Sequence, residues 1–159
     1  MLLMHENNVE MILNPNREIR GMQTICSFVQ NKYTYGGMPY FIPTGGSCPL
    51  GIIGFVNAAF ELKEQIECGI MLEPDYIYVA TGSCGTLTGL ILGVRAAGLK
   101  TKVIGIAVEP DELVNTFAKN TTKLLRETNE LLHAKDDSFA LFDWHEEDVQ
   151  VDLNFGGRF

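Results

Sequence analysis

Between positions 78 and 90 the chain reads YVATGSCGTLTGL. A short apolar run, Tyr78 to Ala80, gives way to Thr81, Gly82, Ser83, Cys84, Gly85 and Thr86, and apolar residues then return at Leu87, Leu90, Ile91 and Val94. The first pattern is that of a strand. The second, with its three- and four-residue spacing, is one stripe of a helix. Small residues between a strand and a helix mark the βα turn of a parallel α/β sheet, where ligands gather at the carboxyl ends of strands.

The same alternation extends in both directions. DYIYVA (75–80) and KVIGIAV (102–108) are rich in β-branched and aromatic residues without polar alternation, which predicts strands covered on both faces. VEMIL (9–13) and PYFI (39–42) read as further strands, and DVQVDL (148–153) alternates like an edge strand. Helices are predicted over Leu50 to Met71, over Gly85 to Ala97, and from Pro110 and Asp111 through Leu113, Phe117, Leu124, Leu125, Leu131 and Leu132. A weaker helical pattern covers Ile19 to Gln30. The order is βαβαβαβαβ, which predicts an α/β three-layer sandwich around a mainly parallel sheet. A change of character at GGSCPLG (45–51) marks the best candidate for a subdomain boundary.

With 159 residues, 46% of them hydrophobic and 20% charged, the chain has the composition of a globular protein. A net charge of −8 argues against nucleic-acid and anionic-membrane partners, which clustered Lys and Arg would hold. Cys26, Cys48, Cys68 and Cys84 stand far apart with no C-x-x-C pair, a pattern of free thiols in a cytoplasmic protein. His5, His133 and His145 are likewise isolated, so no metal site is expected. DWHEED (143–148) reads as a solvated turn in which Trp144 packs on the core edge.

The turn after Ala80 has two readings. The first turn of a helix offers unpaired amides and the positive end of its dipole, and glycines let the backbone approach an anion. Phosphate is the natural guest. Yet no lysine follows Gly85 as in a P-loop, and Gly82-x-x-Gly85 does not complete G-x-G-x-x-G. A tight βα turn with Thr86 near a helix cap accounts for the same residues. A second small-residue loop, IPTGGSCPLG (42–51), also leads into a helix, and the two could line one cleft.

IPTGGSCPLGIIGFVNAAFEL, PDYIYVATGSCGTLTGLILG and KVIGIAV, in this order and spacing, resemble the D-cysteine desulfhydrase and 1-aminocyclopropane-1-carboxylate deaminase family. These are tryptophan-synthase-β-like, fold-type-II enzymes that use pyridoxal 5'-phosphate. The resemblance covers most of the chain, is strongest from Ile42 to Val108, and implies that 1–46 is the remainder of a small domain and 47–159 part of the large domain that binds the cofactor. It implies that Thr81, Gly82, Ser83, Cys84, Gly85 and Thr86 form the cup around the cofactor phosphate. It also implies a small amino acid as substrate and release of ammonia and a keto acid.

Family members are longer. The resemblance places their covalent lysine upstream of this chain, and the tyrosine and acid near the ring beyond NFGGRF (154–159). Asn31-Lys32 repeats the family's lysine dipeptide but falls at a helix end, so Lys32 reads as a surface residue. The expectation is therefore a central piece of an incomplete fold-type-II architecture, inactive alone, with no catalytic residue and no covalent cofactor of its own. Open apolar faces of such a piece predict a homo-oligomer. A non-catalytic binder of a phosphorylated small molecule, or a remnant that binds nothing, are the other readings.

Overall fold

The computed structural model describes residues 9, 12, 17–108 and 114–154, and the chain divides into two compact units, Met1–Phe41 and Ile42–Phe159. In the first unit, helix α1 spans Arg17–Tyr35. Ile19, Met22, Ile25 and Val29, three or four residues apart, are all exposed. Lys32 sits exposed in its last turn, as the sequence suggested. Most of the expected VEMIL strand lies outside the described residues.

The second unit runs through α2 (Ile53–Glu67), β1 (Tyr76–Thr81), α3 (Gly85–Ala97), β2 (Lys102–Ala107), α4 (Val114–Lys135) and β3 (Gln150–Asp152). The three strands form one parallel sheet in the order β1-β2-β3, with Tyr76 opposite Lys102, Thr81 opposite Ala107 and Ile104 opposite Gln150. Parallel neighbours require crossovers, and α3 and α4 supply them. The expected α/β class with a parallel sheet is therefore present.

Three expectations need correction or qualification. PYFI is not a strand: residues 38–43 lack regular structure, and Tyr40, Phe41 and Ile42 are exposed. Pro39 and Pro43 carry no amide hydrogen for a ladder, and no neighbouring strand faces them. β1 is not covered on both sides, because Tyr76 and Tyr78 are exposed and stack with ring centroids 6.0 Å apart. Aromatic and β-branched residues suit a one-sided strand equally well, so composition could not separate the cases. α2 begins after a turn at Leu50–Ile52 and stops before Gly69, whose φ of +71° ends it in the left-handed region. Pro110, Asp111 and Leu113 lie outside the described residues, as does the side chain of Phe117.

The core lies between the other sheet face and the helices. Val56, Ala59, Leu87, Ile91, Leu92, Val94, Val103, Leu125 and Trp144 pack together, with Ile77, Val79 and Val151 against them. Two glycine positions set this packing. A methyl group at Gly93 would lie 2.6 Å from the Val56 carbonyl oxygen and 2.7 Å from Ala59 Cβ, so α2 and α3 touch backbone to backbone. One at Gly105 would lie 2.7 Å from Thr81 Oγ1, so β2 stays smooth where β1 ends.

A polar latch holds residues 140–148 to the helices. Asn129, buried on α4, donates from Nδ2 to the Ala140 carbonyl (2.8 Å) and accepts at Oδ1 from the Phe142 amide (2.8 Å) and Trp144 Nε1 (3.2 Å). Arg126 Nε donates to the Trp144 carbonyl at 3.1 Å. The Arg95 guanidinium lies over the Trp144 ring, 4.5 Å from its centroid. Trp144 is thus a core residue rather than an edge one, with 1% of its surface exposed.

Candidate anion site at the head of α3

The site is built where β1 stops. The Val108 amide donates to the Thr81 carbonyl (3.1 Å), the last strand-like contact, and the chain then turns away from the sheet. Thr81 is buried, and its hydroxyl donates back to the Val79 carbonyl at 3.1 Å. Cys84 caps α3 with φ 67° and ψ −5°, a left-handed conformation that costs a side-chain-bearing residue energy. The turn needs it to bring the amides that follow into helical direction.

That cap leaves the helix end open. A favoured N-cap residue returns a side-chain oxygen to the amides two or three places on. Cys84 returns none. The Thr88 amide bonds the Cys84 carbonyl at 2.9 Å, and the Thr88 hydroxyl donates to the same oxygen at 2.7 Å. Among the described residues, no acceptor takes the amides of Gly82 through Leu87. No acid stands in the first turn to neutralise the dipole. Glycines at 82 and 85 leave this surface thin, and Ser83 is exposed over it.

The second loop closes on the first, as the sequence suggested it could. Thr44–Gly46 forms a single 3-10 turn in which Gly45 and Gly46 both have positive φ, 67° and 65°. A methyl group at Gly45 would lie 2.1 Å from Ser83 Oγ, and one at Gly85 would lie 2.7 Å from Ser47 Oγ. Both glycines are therefore required by the approach of the two loops. Ser47 Oγ is shut off from solvent and has no hydrogen-bond partner. Sequence reasoning did not single out Ser47.

Of the six residues expected at the site, Ser83 is exposed, Gly82 and Thr86 are half-buried, and Gly85 is buried against Ser47. Thr81 and Cys84 are buried too. The Cys84 thiol packs with Ala107 on the side of Val151 and Leu153. Burial pushes its pKa above the ordinary thiol value, with the Thr121 hydroxyl beside it pulling the other way. Thr121 Oγ1, fully buried, has no hydrogen-bond partner of its own.

These residues fit a phosphate in two respects: amides with no acceptor among the described residues, and a helix dipole with no acid in its first turn. They do not offer a covalent anchor. Lys102 stands at the start of β2, where its ammonium lies 5.9 Å from the centre of the Tyr76 ring, and the loop follows the opposite strand end. Among the described residues there is no cluster of His, Cys, Asp or Glu suited to a metal, and no helix is long and apolar enough to cross a membrane.

The chain is 34% identical to a 1-aminocyclopropane-1-carboxylate deaminase of Burkholderia cenocepacia, over 77% of this chain and 34% of that protein. It is 37% identical to the mitochondrial bifunctional D-cysteine desulfhydrase/1-aminocyclopropane-1-carboxylate deaminase of Arabidopsis thaliana, over 65% of this chain and 27% of that one. A crystal structure of an ACC deaminase homologue superposes with a TM-score of 0.66 at 26% identity, covering 94% of this chain and 42% of the other. The chain spans about a third of the length of the curated relatives it matches. The model of the pyridoxal-phosphate dependent enzyme family matches residues 3–152. An open helix end behind a parallel strand, and relatives that share its sequence, lead to one assignment: the chain belongs to the family of pyridoxal-phosphate dependent enzymes.

Proposed function

We propose that this chain is the phosphate-holding portion of a deaminase or desulfhydrase of the 1-aminocyclopropane-1-carboxylate/D-cysteine type. One observation carries the reading: among the described residues, the amides from Gly82 to Leu87 have no acceptor at the uncapped head of α3. A phosphate dianion placed there accepts several backbone hydrogen bonds at once and sits at the positive end of the helix dipole. Gly82 and Gly85 let it approach the main chain, and Ser83 and Thr86 add hydroxyl donors. Thr81 and Cys84 support the turn from below.

Pyridoxal phosphate, when bound, supplies a conjugated ring that draws electrons from the carbon bearing a substrate's amino group. This chain's own share is to bind and orient the phosphate end. The identity of the relatives supports a small amino acid as the substrate of the whole enzyme.

The test is a titration of the 15N-labelled chain with pyridoxal phosphate. The largest amide shifts are expected at Gly82, Ser83, Gly85, Thr86 and Leu87, and borohydride should fix the cofactor on no single lysine in preference to the others. Shifts confined to lysine-bearing surfaces, with the loop unmoved, would overturn the reading.

A further inference from the structure

Ser47 has a buried hydroxyl with nothing to bond, which is a cost the fold would be rid of with alanine in its place. Its Oγ stands against Gly85, the first residue of α3, where a methyl group would come within 2.7 Å of it. It reaches that place by specific local geometry. Gly45 and Gly46 turn the chain through positive φ, and the Cys48 amide fastens the turn to the Gly46 carbonyl at 2.9 Å. Gly51 meets the Gly46 carbonyl where no side chain could follow.

We infer that Ser47 is a further donor to the anion held at the head of α3, delivered from the opposite loop. The inference rests on the phosphate reading above. A hydroxyl has one donor hydrogen and one soft torsion, and turning about Cβ–Oγ points that hydrogen toward a group seated on the first-turn amides without moving the oxygen. The site then has two walls. Backbone amides of 82–87 form one, and a side-chain hydroxyl of the 44–51 loop forms the other. The two loops are already in contact, through Gly45 against Ser83 and Ser47 against Gly85, so both walls are in place before a ligand arrives.

Ser47→Ala tests this in the full 159-residue chain. Thermal unfolding is read without ligand, and equilibrium dialysis with pyridoxal phosphate, inorganic phosphate and pyridoxal. The expected result is an unchanged or higher Tm, with affinity for pyridoxal phosphate and inorganic phosphate down about tenfold and that for pyridoxal unchanged. Equal affinity of the variant and the parent chain for both phosphates would overturn the role of Ser47 and leave the phosphate reading standing. Absence of phosphate binding by the parent chain would overturn the underlying reading itself.

Discussion

Cys84 occupies a backbone conformation that glycine would adopt more easily, and it does so at the point where β1 hands over to α3. Its side chain explains the choice, because the thiol is buried against Ala107 and contributes to packing that glycine would lose. Burial also raises its pKa, so the thiolate is scarce at neutral pH. Alkylation with iodoacetamide at pH 8, followed by mass spectrometry, should modify the exposed Cys26 and Cys68 well before Cys84. Equal rates would show that the head of α3 opens freely. The pH dependence has a definite sign. Above the ordinary thiol pKa the unfolded chain loses a proton that the folded chain keeps, so this group's contribution to stability falls as pH rises through that range. At this scale the sequence was readable where chemistry follows from backbone position: Thr81 to Thr86 follow a strand and open a helix. Ser47 was not, because nothing in GGSCPLG says that its hydroxyl will be buried without a partner. That depends on how closely a distant loop approaches.

Helix α3 was the most legible element, and its observed limits, Gly85–Ala97, are those read from the apolar stripe. What the stripe concealed was a second pattern on the same helix. Gly85, Gly89 and Gly93 recur every four residues and form the ridge that meets α2, with methyl groups at 89 and 93 placed 2.5 Å and 2.7 Å from Phe55 Cβ and Ala59 Cβ. The spacing was visible, but glycine in a phosphate-type turn drew the only explanation given for Gly85. Gly93→Ala should therefore destabilise the chain, although alanine favours a helix by about 1 kcal/mol, since overpacking costs about 1–3 kcal/mol. Gly54→Ala in α2, with no atom within 4 Å, should instead stabilise it by about 0.5 kcal/mol. Differential scanning calorimetry checks both, at about 2–4 °C in Tm per kcal/mol. A rise in Tm with Gly93→Ala would mean that α2 and α3 are not in close contact. PYFI shows the reverse failure, where an apolar run looked like a strand but two prolines and the lack of a neighbour left it none. The Asn129 latch was hidden as well, since one Asn on an apolar helix face does not announce its three partners.

Across the whole chain, the alternation of strand and helix from Tyr76 to Asp152 was written in hydrophobic period alone, and with it the parallel sheet. Which sheet face is covered was not, because Tyr76 and Tyr78 have the same composition whether buried or exposed. The molecule concentrates its unpaired donors at one end of the sheet, and the account depends on those donors choosing a phosphate rather than a ring. The direct measurement is the affinity of the chain for pyridoxal phosphate against pyridoxal, by equilibrium dialysis at fixed ionic strength, repeated with Gly85→Val. Preference for the phosphorylated form by at least tenfold, abolished in the variant while its fold persists by circular dichroism, is the predicted result. Equal binding of both compounds, or a preference that survives a side chain at position 85, would contradict it.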